Sequence, residues 1–327
     1  MSLHLIPGKL TKHTFLMTIV ALCCALNLSA QSKTYKNEAG YEADNDGFLG
    51  QGSDRYYTAG NFFFFRHALT VNDSSSIQNK VLGFELGQRI YTPQSAYVPG
   101  PAYIDRPFAG YTYFSTSINL LYKNESNLRL EAQVAVVGPN SYGQQVQDLI
   151  HKVFDFYQPG GWQYQIANDY ELNLSAQYNR LIARTHGFDI SANSYLDLGT
   201  GIDGAGLGFT ARFGRFNQLY NSAITTSSVS ARKMGSNRTE IFFFAKPSIN
   251  YVAYNSTIQG SIFESVPAIY EIELVKKPYI LSEQLGGILV TGHWEVNASA
   301  TYQTRETVLM IHPGHQWGSI AVLYRFN

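Results

Sequence analysis

The chain has 327 residues and a formal net charge of zero, with only 15% charged residues against 14% aromatic ones. Balanced charge without any basic block excludes a nucleic-acid partner. A charged fraction well below the roughly 25% of ordinary soluble domains, combined with 23 Tyr and 20 Phe, is the composition of β-rich chains that face lipid.

Lys9, Lys12 and His13 precede an apolar run from Phe15 to Leu28, and Leu28-Ser29-Ala30 forms a small-residue cleavage site before Gln31. The run is shorter than the roughly 20 residues of a spanning helix. Residues 1–30 are therefore expected to be a signal peptide, and 31–327 the exported domain. Lipidation would need a small residue before the acceptor cysteine, and Leu22 precedes Cys23. Both cysteines, Cys23 and Cys24, fall in this leader. The exported part then has neither disulfides nor thiolate metal sites.

After Gln31 no apolar run is long enough for a membrane helix, and two-residue alternation takes over. Leu128, Leu130, Ala132, Val134 and Val136 alternate with Arg129, Glu131, Gln133 and Ala135. Leu172, Leu174, Ala176 and Tyr178 do so with Glu171, Asn173, Ser175 and Gln177. The last such run, ending at Phe326, sets Ile320, Val322 and Tyr324 against Ser319, Ala321, Leu323 and Arg325. Strands are expected near 40–46, 58–70, 80–91, 109–123, 127–138, 162–182, 184–200, 203–215, 239–254, 267–279, 286–304 and 315–326. Many reach about ten residues, the length of a tilted membrane-spanning strand. Only closed barrels and helices satisfy every backbone group in lipid. The pattern predicts an all-β fold, a twelve-stranded antiparallel transmembrane β-barrel. In that setting Phe62 to Phe65 is sensible, with alternate rings facing lipid and lumen. The Ser-rich stretch around Thr225–Arg238 reads as a polar loop.

One segment departs from alternation. Val146, Leu149, Ile150 and Val153 recur at three- and four-residue spacing, so Ser141 to Phe156 reads as an amphipathic helix in an extracellular-side loop, stopped by Pro159-Gly160-Gly161. His151 lies on it. Asn45-Asp46 and Asp54-Arg55-Tyr56-Tyr57-Thr58 form a polar cluster just before the Phe run, placed at a barrel rim.

The segments NDGF, DRYYTAG, DRPFAG, VGPNSYGQQVQDLIH and GW occur in that order between Asn45 and Trp162. Together they resemble the outer-membrane lipid A 3-O-deacylase family. The resemblance implies a twelve-stranded barrel in the bacterial outer membrane, with a lumenal active site near the outer rim. It implies calcium-dependent hydrolysis of an ester-linked acyl chain of lipid A in lipopolysaccharide; the protein itself is expected to be a monomer. His151 would be the general base, Asp46 a calcium (Ca2+) ligand, and Asn45 and Thr58 supporting residues. Where the family carries a glutamate six residues after this histidine, the chain has Tyr157. It also lacks the lysine found after the third strand in the family's first-studied members. Asp155, four residues beyond His151, and Asp148, three before it, are the sequence candidates to orient the imidazole.

The residues agree with that chemistry. Calcium takes oxygen ligands such as Asp46, and histidine titrates where a base at neutral pH must. No G-x-S-x-G elbow is present. Two other classes compete: a catalytically inactive barrel with a structural, binding or pore role, and a soluble periplasmic β-sandwich. Asp105-Arg106 reads as a structural ion pair or turn, and His293, His312 and His315 as lumen or loop residues.

Overall fold

The computed structural model describes residues 34–50, 54–232, 239–264 and 267–327. The expected signal peptide lies outside them. The strands β1 (Asn37–Asn45), β2 (Tyr56–Ala68), β3 (Ile77–Thr92), β4 (Ala109–Tyr122), β5 (Ser126–Val137) and β6 (Asp169–Thr185) are followed by β7 (Phe188–Gly199), β8 (Ile202–Arg215), β9 (Glu240–Asn255), β10 (Tyr279–Thr291), β11 (Trp294–Thr304) and β12 (Gly314–Phe326). Each pairs antiparallel with its sequence neighbours. β1 closes on β12, from Asn37 opposite Phe326 to Asn45 opposite Gly318. Closure leaves no strand edge, the condition for a sheet in lipid. Among the described residues no helix is long and apolar enough to cross a membrane.

Alternation sorts the side chains as the period requires. On β1 and β2, Tyr41 and Phe63 point outward and touch, their ring centroids 5.0 Å apart. Glu42 and Asp44 point inward and line lumenal cavities. Of the four phenylalanines, Phe62 is buried inside and Phe63 is exposed outside.

Two strand assignments need correction. The expected strand 286–304 is the second half of β10, a turn at Gly292-His293, and β11. The alternation continues through the turn, so periodicity does not register it. Gly292 at φ 52° supplies the left-handed residue that a two-residue hairpin requires. The expected strand 267–279 is a rim loop instead. Its backbone bonds go to other loops, from Ile272 N to Tyr164 O and from Lys277 N to Glu306 O. The two errors cancel in the total, so the count of twelve stands.

The long β8–β9 connection is also more than a polar loop. Its described part, through Arg232, folds back against the barrel end opposite the helix-bearing loop. Leu219, Ser222, Ser227, Val229 and Ser230 are buried there. Asn79 donates to Val229 O at 2.8 Å and Asn119 to Thr225 O at 2.8 Å. Glu240 accepts from Ser222 Oγ at 2.7 Å and from Ala223 N at 3.0 Å. Its serines and threonines are polar because they satisfy buried backbone groups, as buried polar segments must.

Candidate active site

Asn45 ends β1, and its side-chain oxygen accepts from Gly47 N at 2.7 Å, capping the single turn Asp46–Leu49. That turn buries Asp46 at the rim. Asp46 Oδ2 accepts from Arg55 N at 3.0 Å and from Thr58 Oγ1 at 3.3 Å. Thr58 reaches it because of a bulge. Tyr57 pairs with Tyr91 and Ala59 with Ile90, so Thr58 is an extra residue in β2. Burial pushes the Asp46 carboxyl up to about 7, against its hydrogen bonds, with the Asp54 charge adding to the rise.

Helix α1 (Gly143–Val153) is shorter than the expected span. Tyr142 precedes it with left-handed backbone, and Asp155 at φ 56° follows it. The helix lies against the outside of the barrel wall. Leu86 on β3 and Phe114 on β4 face outward and are about half exposed, so Gln88, Ile90 and Thr112 face outward too. Gln88 and Thr112 both donate to Ser141 O, at 2.8 and 2.7 Å, just ahead of the helix. The helix start meets β4 at two glycines. A Cβ on Gly143 would sit 2.6 Å from the Gly110 Cα, closer than any side chain allows.

The face of α1 turned to the wall carries Gly143, Gln147 and His151, all buried. His151 Nε2 lies 2.6 Å from Asp54 Oδ2, and Nδ1 lies 2.5 Å from the Tyr157 carbonyl oxygen. A carbonyl only accepts, so Nδ1 carries a proton. Asp54 also accepts from Gln147 Nε2 at 2.9 Å, and Gln147 Oε1 accepts from Trp162 Nε1 at 2.8 Å. Trp162 stands on Phe108, centroids 5.2 Å apart. The Tyr157 phenol hydrogen-bonds Asp54 and, with burial and the Asp54 charge, has its pKa raised. Its ring meets the imidazole edge-on at 5.0 Å.

His151, Asp46, Thr58 and Asn45 thus collect around one rim, joined through Asp54 and the Asp54–Thr58 segment. Asp155 does not join them. It is exposed, its left-handed backbone carries it past the helix end, and the ring nitrogens already have other partners. Asp148 instead accepts from Gln158 at 3.1 Å. Asp54, Gln147 and Trp162 lay in the quoted motifs without an assigned role. What marks them is the contact network, which sequence spacing does not contain.

The expected lumenal position of the site also changes. Lumenal cavities of about 490 and 430 Å³ are lined by Glu42, Asp44, Tyr57, Arg89 and Trp317 among others, and His151, Asp54 and Thr58 are not among their lining residues. The physical reason is the anchoring of α1 on outward-facing Gln88 and Thr112. Asp105 and Arg106 act as struts. Asp105 accepts from Tyr56 OH at 2.7 Å and Ile311 N at 3.0 Å, and Arg106 pairs with Glu306 at 2.9 Å, tying two rim loops together.

A family profile described as Outer membrane protein LpxR matches residues 15–326. Among solved structures, LpxR from Salmonella typhimurium superposes with a TM-score of 0.71 at 20% identity, covering 88% of this chain and 100% of that one. The β domain of the Bordetella autotransporter BrkA gives 0.46 at 9% identity, covering 90% and 99%. The translocator domain of NalP from Neisseria meningitidis gives 0.41 at 11%, covering 96% of each. Among curated protein sequences none matches this chain.

Proposed function

Because the chain belongs to the LpxR family of outer membrane proteins, we propose that it is a hydrolase that removes an ester-linked acyl chain from lipid A. The observation that carries this reading is the His151–Asp54 pair, 2.6 Å apart and held on the lipid side of the wall. A base buried between a helix and the outer face of a barrel is reached from the bilayer's outer leaflet. A lipid ester presents itself there without leaving the membrane.

The Tyr157 carbonyl fixes the ring through Nδ1, which leaves Nε2 to exchange protons. When the ring is neutral, a water takes the place of Asp54 at Nε2, attacks the ester carbonyl and passes its proton to the ring. Asp54 stabilises the imidazolium so formed, and its contact with Nε2 is the one a protonated ring makes. The C–O bond then breaks, and the ring proton goes to the leaving alkoxide, giving a free acid and an alcohol. Gln147 and Trp162 hold Asp54 in line, and Tyr157 covers the ring edge.

The residues fit a calcium ion in kind. Asp46 is a buried carboxyl whose charged form is disfavoured by burial and by Asp54 beside it. A hard cation corrects that shortage of positive charge, and Thr58 and the Asn45–Gly47 turn supply further oxygens. Among the described residues no group of three or more His, Cys, Asp or Glu is placed to hold a metal ion, so such a site would draw on hydroxyl and carbonyl oxygens as well. When bound, the ion supplies Lewis acidity at the ester carbonyl and charge opposite the oxyanion.

Mass spectrometry of lipid A from cells with and without the protein tests the reading. The expected result is loss of one acyl unit when the protein is present. An unchanged profile with folded protein in the outer membrane would favour the catalytically inactive barrel.

A further inference from the structure

Helix α1 has three sides. At 100° per residue, the side beyond the buried His151 face carries Gln144, Asp148 and Lys152. The opposite side carries Val146, Leu149, Ile150 and Val153. Leu149 is 60% exposed and Val153 67%; just past the helix, Phe154 and Phe156 are 64% and 59% exposed. The two phenylalanine rings stack, 5.8 Å apart. An apolar patch of this kind marks a surface that something covers.

The stripe is continuous with the membrane-facing wall. Val146 packs on the cluster that holds Ala59 and Ile90, whose side chains face outward from β2 and β3. Down the same face of β3, Gln88 is followed by Leu86 and Phe84. There Phe65, Phe84 and Phe114 stack across three strands, at 6.4 and 6.3 Å. Between this ladder and the stripe lies one outward-facing polar row, Asn61, Gln88 and Thr112. Each is hydrogen-bonded within the protein, Asn61 to Tyr41 OH and the other two to Ser141 O, so the bilayer that covers the ladder reaches the stripe across satisfied groups. A helix with charged and amide side chains on one side and apolar ones on the other has the polarity of an element lying in a membrane interface.

We infer that Leu149, Val153, Phe154 and Phe156 form a docking surface for the acyl chains of an outer-leaflet lipid. The inference deepens the proposed hydrolysis and rests on it. Seating the chains along the stripe sets the ester end of the lipid beside the adjoining helix face, where His151 sits. Continuity with the wall favours lipid over a second copy of the chain as the occupant.

Two measurements on the full-length protein test it. The Val153→Trp variant is reconstituted in phosphatidylcholine vesicles brominated near the top of the acyl chains. Its added fluorescence, measured against the wild-type chain, should be quenched more strongly than in unbrominated vesicles. No added quenching, or a Val153→Cys variant that instead forms disulfide-linked dimers, overturns the inference. In the second measurement, Val153→Ser combined with Phe154→Ser should raise the apparent KM for lipid A in vesicles about tenfold, with kcat changed less than about twofold. A fall in kcat at unchanged KM assigns the stripe a structural role and overturns it. If the wild-type protein hydrolyses no lipid, the hydrolase reading fails, and the quenching result alone decides whether the stripe meets the bilayer.

Discussion

At the scale of single residues the imidazole and its carboxylate carry the argument. His151→Ala should lower the deacylation rate by about 10²–10⁴, the usual worth of a general base. The strand ladder should stay intact, because His151 stands outside it. Asp54→Asn should lower kcat by about tenfold or more, since a neutral amide no longer stabilises the imidazolium. Asp155→Asn should stay within about threefold of wild type, as an exposed side chain that does not touch the ring. Rates of the three variants on purified lipid A separate these expectations; a strong Asp155 effect would restore it as the orienting group.

Asp46 gives the residue scale its pH dependence. Its carboxyl is raised to about 7 in the folded protein, so between the ordinary carboxylate range and that value the folded state binds the extra proton. The associated stability is present below the ordinary range and is lost as pH rises through about 7. In chelator, the urea midpoint should therefore fall between about pH 5 and pH 8, and Asp46→Asn should flatten that part of the profile. A cation binds the ionised form, so the calcium needed for half-maximal activity should rise as pH drops below about 7. A calcium requirement indifferent to pH across that window would remove Asp46 from the ligand set.

At the scale of elements, α1 works because it can approach the wall closely. Gly143→Leu would push the helix start away from Gly110. Misplacing a base by about an ångström typically costs on the order of 10²-fold in rate. The expected result is a folded barrel with activity reduced at least about tenfold. Unchanged activity would mean that the helix position does not set the site. The same element shows where periodicity stops being informative. Three- and four-residue spacing of Val146, Leu149, Ile150 and Val153 announces a helix and an apolar side. It does not say that His151 would face the wall, or that the apolar side would be left uncovered by protein. Likewise the apolar alternation in 286–304 runs through Gly292 without a break although the faces switch there: Ile288 and Val290 are buried inside, whereas Trp294 and Val296 face outward.

At the scale of the whole molecule, the closed ladder and the inward-folded β8–β9 segment set two expectations. The first is a gel mobility that differs between unheated and boiled samples, because closure makes unfolding slow in detergent. The second concerns the pore alternative. The segment around Leu219–Ser230 occupies the end of the barrel opposite α1, anchored by Asn79, Asn119 and Glu240. Reconstituted protein should therefore show no steady ion conductance in planar bilayers. A stable open channel would contradict this and favour a transport role.

The sequence by itself determined the barrel and the helix in an outer loop, and it singled out His151 as the candidate base; its total of twelve strands agrees with the structure through two errors that cancel. These follow from two-residue and 3.6-residue periods and from short motifs, all local along the chain. Only the tertiary structure decided which side of the wall the candidate site residues occupy, which carboxylate meets His151, and where the described part of the Ser-rich segment lies. Each depends on contacts between residues far apart in sequence: Ser141 with Gln88 and Thr112, His151 with Asp54, Val229 with Asn79. Asp155 is four residues from His151 and misses it because the helix ends in between. Asp54 is nearly a hundred residues away and meets it because β2 pairs beside β3 and β4, the strands on which α1 is anchored.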